Sequence, residues 1–238
     1  MRSLLLVPGD SRLALDAALA SGADALVVDL EEGVPPAAKG EARRVSAAFL
    51  AEVAARAVRP RLFVRVNALS TGWTEDDLDA VMGAAPDGIV LPAACGGPDV
   101  QRLAAKLAVR EAERGIEDGR TRILPVAAGT ARGLLAIGTV PGSSGRLCGV
   151  AWDAERLRAD LGAEASRDGE GRLIGPLRHA RAATLAAAAA AGVDPVDAAF
   201  TDARDEDGLA RACRAARRDG FVAKVAIHPG QVPVIDEA

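Results

Sequence analysis

Residues 3–30 read SLLLVPGDSRLALDAALASGADALVVDL. The apolar run Leu4–Val7 stops at Pro8-Gly9. The stretch Leu13–Ala20 then carries apolar residues at helical spacing, and after Ser21-Gly22 a second apolar run, Ala25–Asp29, begins. Short apolar runs bounded by Gly and Pro and separated by a helical stretch form a strand–helix–strand unit. Two parallel strands need such a crossover between them.

The same alternation continues along the chain. Further strand candidates are Leu62–Val66, Gly88–Leu91, Ile123–Val126, Leu147–Val150, Ala198–Phe200 and Val222–Ile227. The intervening helical stretches include Lys39–Arg56, Val100–Arg114 and Gly175–Ala191, the last containing the alanine run Ala186–Ala191. Eight strands with helices between them predict the α/β class and a closed parallel (β/α)8 TIM barrel. A doubly wound open sheet is the alternative. The count of eight, and the lack of a Gly-x-Gly-x-x-Gly turn after the first strand, favour the barrel. Glu164–Arg172 and Pro141–Gly145 read as surface loops rather than linkers, so one domain is expected over residues 1–238.

Composition agrees with this reading. The length of 238 residues suits one barrel. Hydrophobic residues make up 50% but aromatics only 3%, with no Tyr, so Ala, Leu and Val must fill the interior. The net charge of −4, with both signs interspersed, argues against a nucleic-acid or anionic-membrane partner. No stretch approaches the roughly 20 apolar residues of a membrane span, and Leu4–Val7 is too short for a signal-peptide core. Cys95, Cys148 and Cys213 form no C-x-x-C pair, and an odd count gives no disulfide framework, so a cytoplasmic location is expected.

Barrel chemistry sits where the strands end. The residues at those ends include Pro8-Gly9-Asp10, Asp29-Leu30-Glu31-Glu32, Arg65-Val66-Asn67, Pro92-Ala93, Ala127–Thr130, Trp152-Asp153, Thr201-Asp202 and His228-Pro229. Charges contributed by several strands are the pattern of an active site. Arg65 reads as an anion-binding rim residue, with a structural ion pair to Asp29 or Glu31 as the alternative. Glu31 and Glu32 read either as site carboxylates or as solvated loop residues, and Asp29 as a group that bonds loop amides. His228 reads either as a general base or, with no second partner evident, as a loop residue that pins the last strand. His179 is expected to be a surface residue, Trp152 to cap the rim and Cys148 to lie in the core. A nucleophilic role for Cys95 would need a lowered pKa and a nearby base.

Several motifs, in order along the chain, resemble those of one family. They are SLLLVPG at 3–9 and SGADALVVDLEEGV at 21–34 (family pattern S-G-A-D-x-x-x-x-D-L-E-D-x-V), followed by Lys39 and Arg43. VRVN stands at 64–67, Thr130-Ala131-Arg132-Gly133 matches the tail of E-T-A-x-G, and Trp152–Gly162 resembles W-G-A-E-D-L-x-x-x-L-G. FTDARDEDGL at 200–209 and GFVAKVAIHPGQ at 220–231 complete the set. The chain thus resembles the HpcH/HpaI aldolase family in its citrate lyase β-subunit-like branch.

The resemblance implies cleavage of a carbon–carbon bond beside a carbonyl in a hydroxyacyl thioester such as citryl-, malyl- or citramalyl-CoA. It implies a small organic acid or acyl-CoA partner and a homo-oligomer, a trimer or hexamer. It also implies Mg²⁺ chelated by the 2-oxo acid half of the substrate. Arg65 would hold the free carboxylate, and Glu31 and Glu32 correspond to the acidic pair that holds the metal's waters. Lys224 resembles the lysine of Gly-x-x-x-Lys and is expected to be structural or anion-binding.

The metal positions depart from the pattern. Gly129 stands where the family has the Glu of E-T-A-x-G, and Arg156 where it has the Asp of W-G-A-E-D-L. Pro92-Ala93-Ala94-Cys95 replaces P-K-x-E, and Ser11 takes a basic residue's place beside Arg12. No metal ligand is therefore expected. Arg65, Glu31 and Glu32 are the expected catalytic residues, with Arg65, Pro92, Arg156 and Asp153 on the substrate side. Asp153 with Glu31 or Glu32 would rebuild a metal site; alternatively the Arg156 charge serves the substrate's oxyanion directly. The other functional reading is a non-catalytic member that binds an acyl-CoA or organic acid, or partners an active paralogue.

Overall fold

A strand in a parallel barrel meets the interior on one face and the helix layer on the other, so it is apolar on both. Ala25–Asp29 meets that condition, with all five residues buried. The computed structural model describes residues 1–238 and contains eight strands. These are β1 (Ser3–Pro8), β2 (Ala25–Asp29), β3 (Arg61–Arg65), β4 (Gly88–Leu91), β5 (Arg122–Ala128), β6 (Gly149–Trp152), β7 (Asp194–Asp197) and β8 (Ala223–Ala226). They pair in sequence order, all parallel, and β8 closes on β1. The helices are α1 (Arg12–Leu19), α2 (Lys39–Ala54), α3 (Thr74–Val81), α4 (Gly97–Arg114), α5 (Ala131–Ala136), α6 (Ala154–Asp160), α7 (Gly175–Ala191), α8 (Glu206–Asp219) and α9 (Gln231–Glu237). The fold is the expected TIM barrel. No helix is long and apolar enough to cross a membrane.

Two apolar layers hold it together. The larger, 47 buried residues, lies between strands and helices. The smaller, nine residues including Leu4, Val27, Phe63, Leu124 and Val196, fills the barrel interior. Phe63 is the one aromatic of that inner layer, and it needs a gap opposite. Gly88 supplies it, because a Cβ there would stand 2.4 Å from the Phe63 ring.

Two strands differ from expectation. The sixth begins two residues later than Leu147, which makes only an isolated bridge to Ile123. The seventh is Asp194–Asp197 rather than Ala198–Phe200. Its two aspartates and its proline conceal it in the sequence. What makes Asp197 acceptable inside is charge from elsewhere. Lys224 Nζ on β8 lies 3.1 Å from Asp197, Arg181 Nε on α7 lies 3.1 Å away, and Trp152 Nε1 on β6 donates at 2.8 Å. Lys224 also donates to the Ala198 carbonyl at 2.7 Å, so its role here is structural.

Burial alone would raise the Asp197 carboxyl, but the Lys224 and Arg181 charges outweigh it and hold the group below the usual carboxylate range. The folded carboxyl titrates below the unfolded one. Its stabilisation is therefore present at neutral pH and is lost as pH falls from about 5 through the folded value. Asp197→Asn is expected to lower the unfolding free energy at pH 7 by roughly 3–5 kcal/mol in urea titrations, and to remove that part of the acid sensitivity.

Candidate functional site

The site begins at the ends of β2 and β3. Asp29 and Arg65 are register partners, so their side chains leave the sheet side by side. The Asp29 carboxylate accepts Arg65 Nε and Nη2, both at 2.7 Å, in a fork-to-fork pair. The same carboxylate accepts the amides of Glu31 at 2.8 Å and Gly33 at 2.7 Å. Gly33 is required here, because a Cβ would lie 2.5 Å from Asp29 Oδ2. Burial works to raise the Asp29 carboxyl, but Arg65 and the two amides hold it below its ordinary value. Arg65 thus makes the structural ion pair that was the alternative to anion binding, Asp29 bonds the loop amides as expected, and Arg65 still faces the cavity described below.

The loop after β2 is fixed from behind. Lys39 Nζ, buried at the start of α2, donates to the carbonyls of Leu30 at 2.5 Å and Glu31 at 2.6 Å and to Asn67 Oδ1 at 2.8 Å. Its ammonium lies 5.3 Å from the centroid of the Trp73 ring. Asn67 in turn donates to Leu30 O and to Asp77, which also accepts Arg43 Nε at 2.8 Å. Lys39, Arg43 and Asn67 stood out only as motif letters, since the bonds that give them a role join segments far apart in sequence.

Arg156 comes from the first turn of α6, which Asp153 caps by accepting the Arg156 amide at 3.0 Å. Its Nη2 donates to Glu31 Oε1 and to Glu32 Oε1, each at 2.6 Å. The Glu32 side chain is 55% exposed and that of Glu31 only 8%. Glu31 Oε2 is buried without a hydrogen-bond partner, 3.7 Å from Arg65 Nε. Burial raises the Glu31 carboxyl above its ordinary range, and the Arg65 and Arg156 charges offset only part of that. Three carboxylates and two guanidinium groups therefore alternate across the mouth of the barrel.

They border a cavity of about 390 Å³. Glu32, Arg65, Trp152, Asp153 and Arg156 line its polar side, and Val27, Val90, Leu124 and Val225 are among its apolar walls. Glu31 sits at its edge, bonded to Arg156. Pro92, expected on the substrate side, instead borders a separate cleft of about 260 Å³ with Cys95, Arg102 and Arg132. His228 is exposed, and its Nδ1 accepts the Gly230 amide at 3.1 Å, a local loop contact. Burial pushes the Cys148 thiol up to about 11. A second hollow of similar size, by Arg2, Phe221 and Asp236, opens beside α8 and α9, away from the strand C-termini.

The residues present do not fit Mg²⁺. The Arg156 guanidinium stands between Glu31 and Glu32, where its charge repels a cation. A Cβ at Gly129 would lie 3.4 Å from Arg156 Cδ and 3.5 Å from Asp153 Cβ, so position 129 faces the same spot but offers no ligand atom beyond its backbone. Asp153 caps α6 through Oδ1, and no group of three or more His, Cys, Asp or Glu side chains converges in a way that could hold a metal ion.

Residues 2–229 match the family model described as HpcH/HpaI aldolase/citrate lyase. The mitochondrial citramalyl-CoA lyase of Rattus norvegicus is 31% identical over 246 residues, covering 99% of this chain and 70% of that protein. The (3S)-malyl-CoA thioesterase of Cereibacter sphaeroides is 33% identical over 233 residues, covering 98% and 75%. Among solved structures, the citrate lyase β subunit from Mycobacterium tuberculosis superposes with a TM-score of 0.84 at 32% identity, covering 99% of this chain and 95% of that one.

Lys39→Met should leave Asn67 Oδ1 without a donor and strip one of two donors from the carbonyls of Leu30 and Glu31. The expected cost is roughly 2–3 kcal/mol in chemical denaturation, with faster amide exchange at residues 30–34 and unchanged exchange in β6 and β7.

Proposed function

This chain belongs to the HpcH/HpaI aldolase/citrate lyase family, and from that premise we propose that it is a carbon–carbon lyase acting on the hydroxyacyl thioester of a small organic acid, of the citryl-, malyl- or citramalyl-CoA kind. The observation that carries this reading is Arg65, held by Asp29 in one geometry at the edge of an otherwise largely apolar cavity. A guanidinium fixed in that way binds a substrate carboxylate without first paying to be ordered.

The reaction needs two further things. A base removes the substrate's hydroxyl proton as the carbon–carbon bond breaks, and positive charge meets the enolate oxygen that forms on the thioester half. Glu31 suits the first task, because its free Oε2 and its raised carboxyl are features of a group that exchanges a proton. The second task falls to the arginines, with no step routed through a metal. The reading also includes a cytoplasmic location, which three unpaired cysteines support, and a homo-oligomer by likeness to the family.

A second reading has its own observation. Arg156 is paired with both Glu31 and Glu32, which by resemblance correspond to the family's acidic pair near its metal, and this favours a non-catalytic member that binds an organic acid or acyl-CoA.

Incubating the protein with citramalyl-, malyl- and citryl-CoA in EDTA, followed by chromatography of the CoA products, separates these readings. Release of a shorter acyl-CoA together with a 2-oxo acid is the expected outcome, with kcat/KM falling by about 100-fold in Arg65→Gln. Free CoA would indicate hydrolysis instead of cleavage. No turnover of any of the three thioesters would favour the binding reading.

A further inference from the structure

The two arginines at the barrel mouth are only half used by the protein. Arg65 spends Nε and Nη2 on Asp29, and its Nη1 makes no hydrogen bond to the chain. Arg156 spends Nη2 alone on Glu31 and Glu32, and its Nε and Nη1 make none. Both side chains line the same cavity, with 11% and 18% of their surface exposed. Both also approach a single Glu31 carboxylate, one at each oxygen, so the span between them is short. Position 129 is glycine, and nothing there covers the Arg156 stem.

We propose that Arg65 and Arg156 form a metal-independent clamp for a short dianion of the 2-oxo dicarboxylate class, Arg65 taking one carboxylate and Arg156 the other carboxylate or the adjacent oxo group. This deepens the lyase reading and rests on it for the choice of ligand class. Arg156 supplies one fixed positive charge and two free donor nitrogens on that side of the cavity. Its anchoring is asymmetric in a way that serves this role. Glu31 is buried and keeps the guanidinium in place, whereas Glu32 is more than half exposed and can return to water when a ligand carboxylate arrives. That exchange removes one negative charge from the mouth as the dianion enters. The bond formed is charge-assisted and planar, which a guanidinium matches and an ammonium does not.

Isothermal titration with oxaloacetate and with pyruvate, each in EDTA and in excess MgCl2, tests the clamp. Oxaloacetate is expected to bind with the same Kd in both buffers within two-fold, and at least about ten-fold tighter than pyruvate. Arg156→Gln should weaken oxaloacetate by at least about ten-fold and pyruvate by less than three-fold, and Glu32→Gln should tighten oxaloacetate. Should Arg156→Gln fail to fold, Arg156→Lys keeps the charge without the fork and is expected to lose about ten-fold. Oxaloacetate binding that requires Mg²⁺, absence of binding, or unchanged affinity in the Arg156 variants each overturns the clamp. Thioester cleavage without metal-free binding of oxaloacetate would sink the clamp and leave the lyase reading standing. Metal-free binding without cleavage of any thioester would do the reverse.

Discussion

The fork-to-fork pair between Asp29 and Arg65 is the contact on which the barrel mouth depends. It joins two neighbouring strands at the point where both leave the sheet. A buried pair of this kind is not by itself a source of stability, because desolvation of the two charges offsets much of their attraction. Its effect is on position. With the same two oxygens Asp29 also gathers the amides of Glu31 and Gly33, so one carboxylate sets the arginine and the turn that carries the glutamates. The Lys39 network then holds the far side of that turn, and the site residues inherit the rigidity of the barrel rather than the mobility of a loop.

Charge matching repeats at another wall of the barrel with the opposite arrangement. At the mouth, guanidinium groups face a cavity. At the wall between β6, β7 and β8, both oxygens of Asp197 are already bonded, by Lys224, Arg181 and Trp152, beside a smaller hollow of about 130 Å³. The first arrangement leaves donors for a ligand and the second consumes them. This difference separates a binding group from a structural one when both are buried ions in the same fold.

How far the sequence disclosed this can be seen in particular elements. Ala25–Asp29 is apolar on both faces and was legible without help, as was Gly88–Leu91. Asp194–Asp197 was not, since a strand with Asp, Pro and Asp is credible only once Lys224 and Arg181 are known to stand beside it. At the site, the rim rule identified Arg65, Glu32 and Asp153 as charged residues near strand ends and the motif comparison identified Arg156, and all four line one cavity. The pairing of Arg156 with Glu31 across 125 residues was beyond local reading. Pro92 follows a strand end as the rule requires, yet it borders the neighbouring cleft, because being at the rim does not say which way a residue faces.

The composition adds a practical consequence. With two Trp, no Tyr and only weakly emitting Phe besides, the near-ultraviolet emission of this chain is dominated by two indoles, which stand in different surroundings. Trp152 is buried at the cavity wall with its N–H on Asp197, and Trp73 is partly exposed beside the Lys39 ammonium. The first indole senses what occupies the barrel, and the second senses the brace behind the β2 loop. The protein thus carries two built-in optical probes, one for its contents and one for its frame, and their emission distinguishes a ligand that fills the cavity from a change that loosens its support.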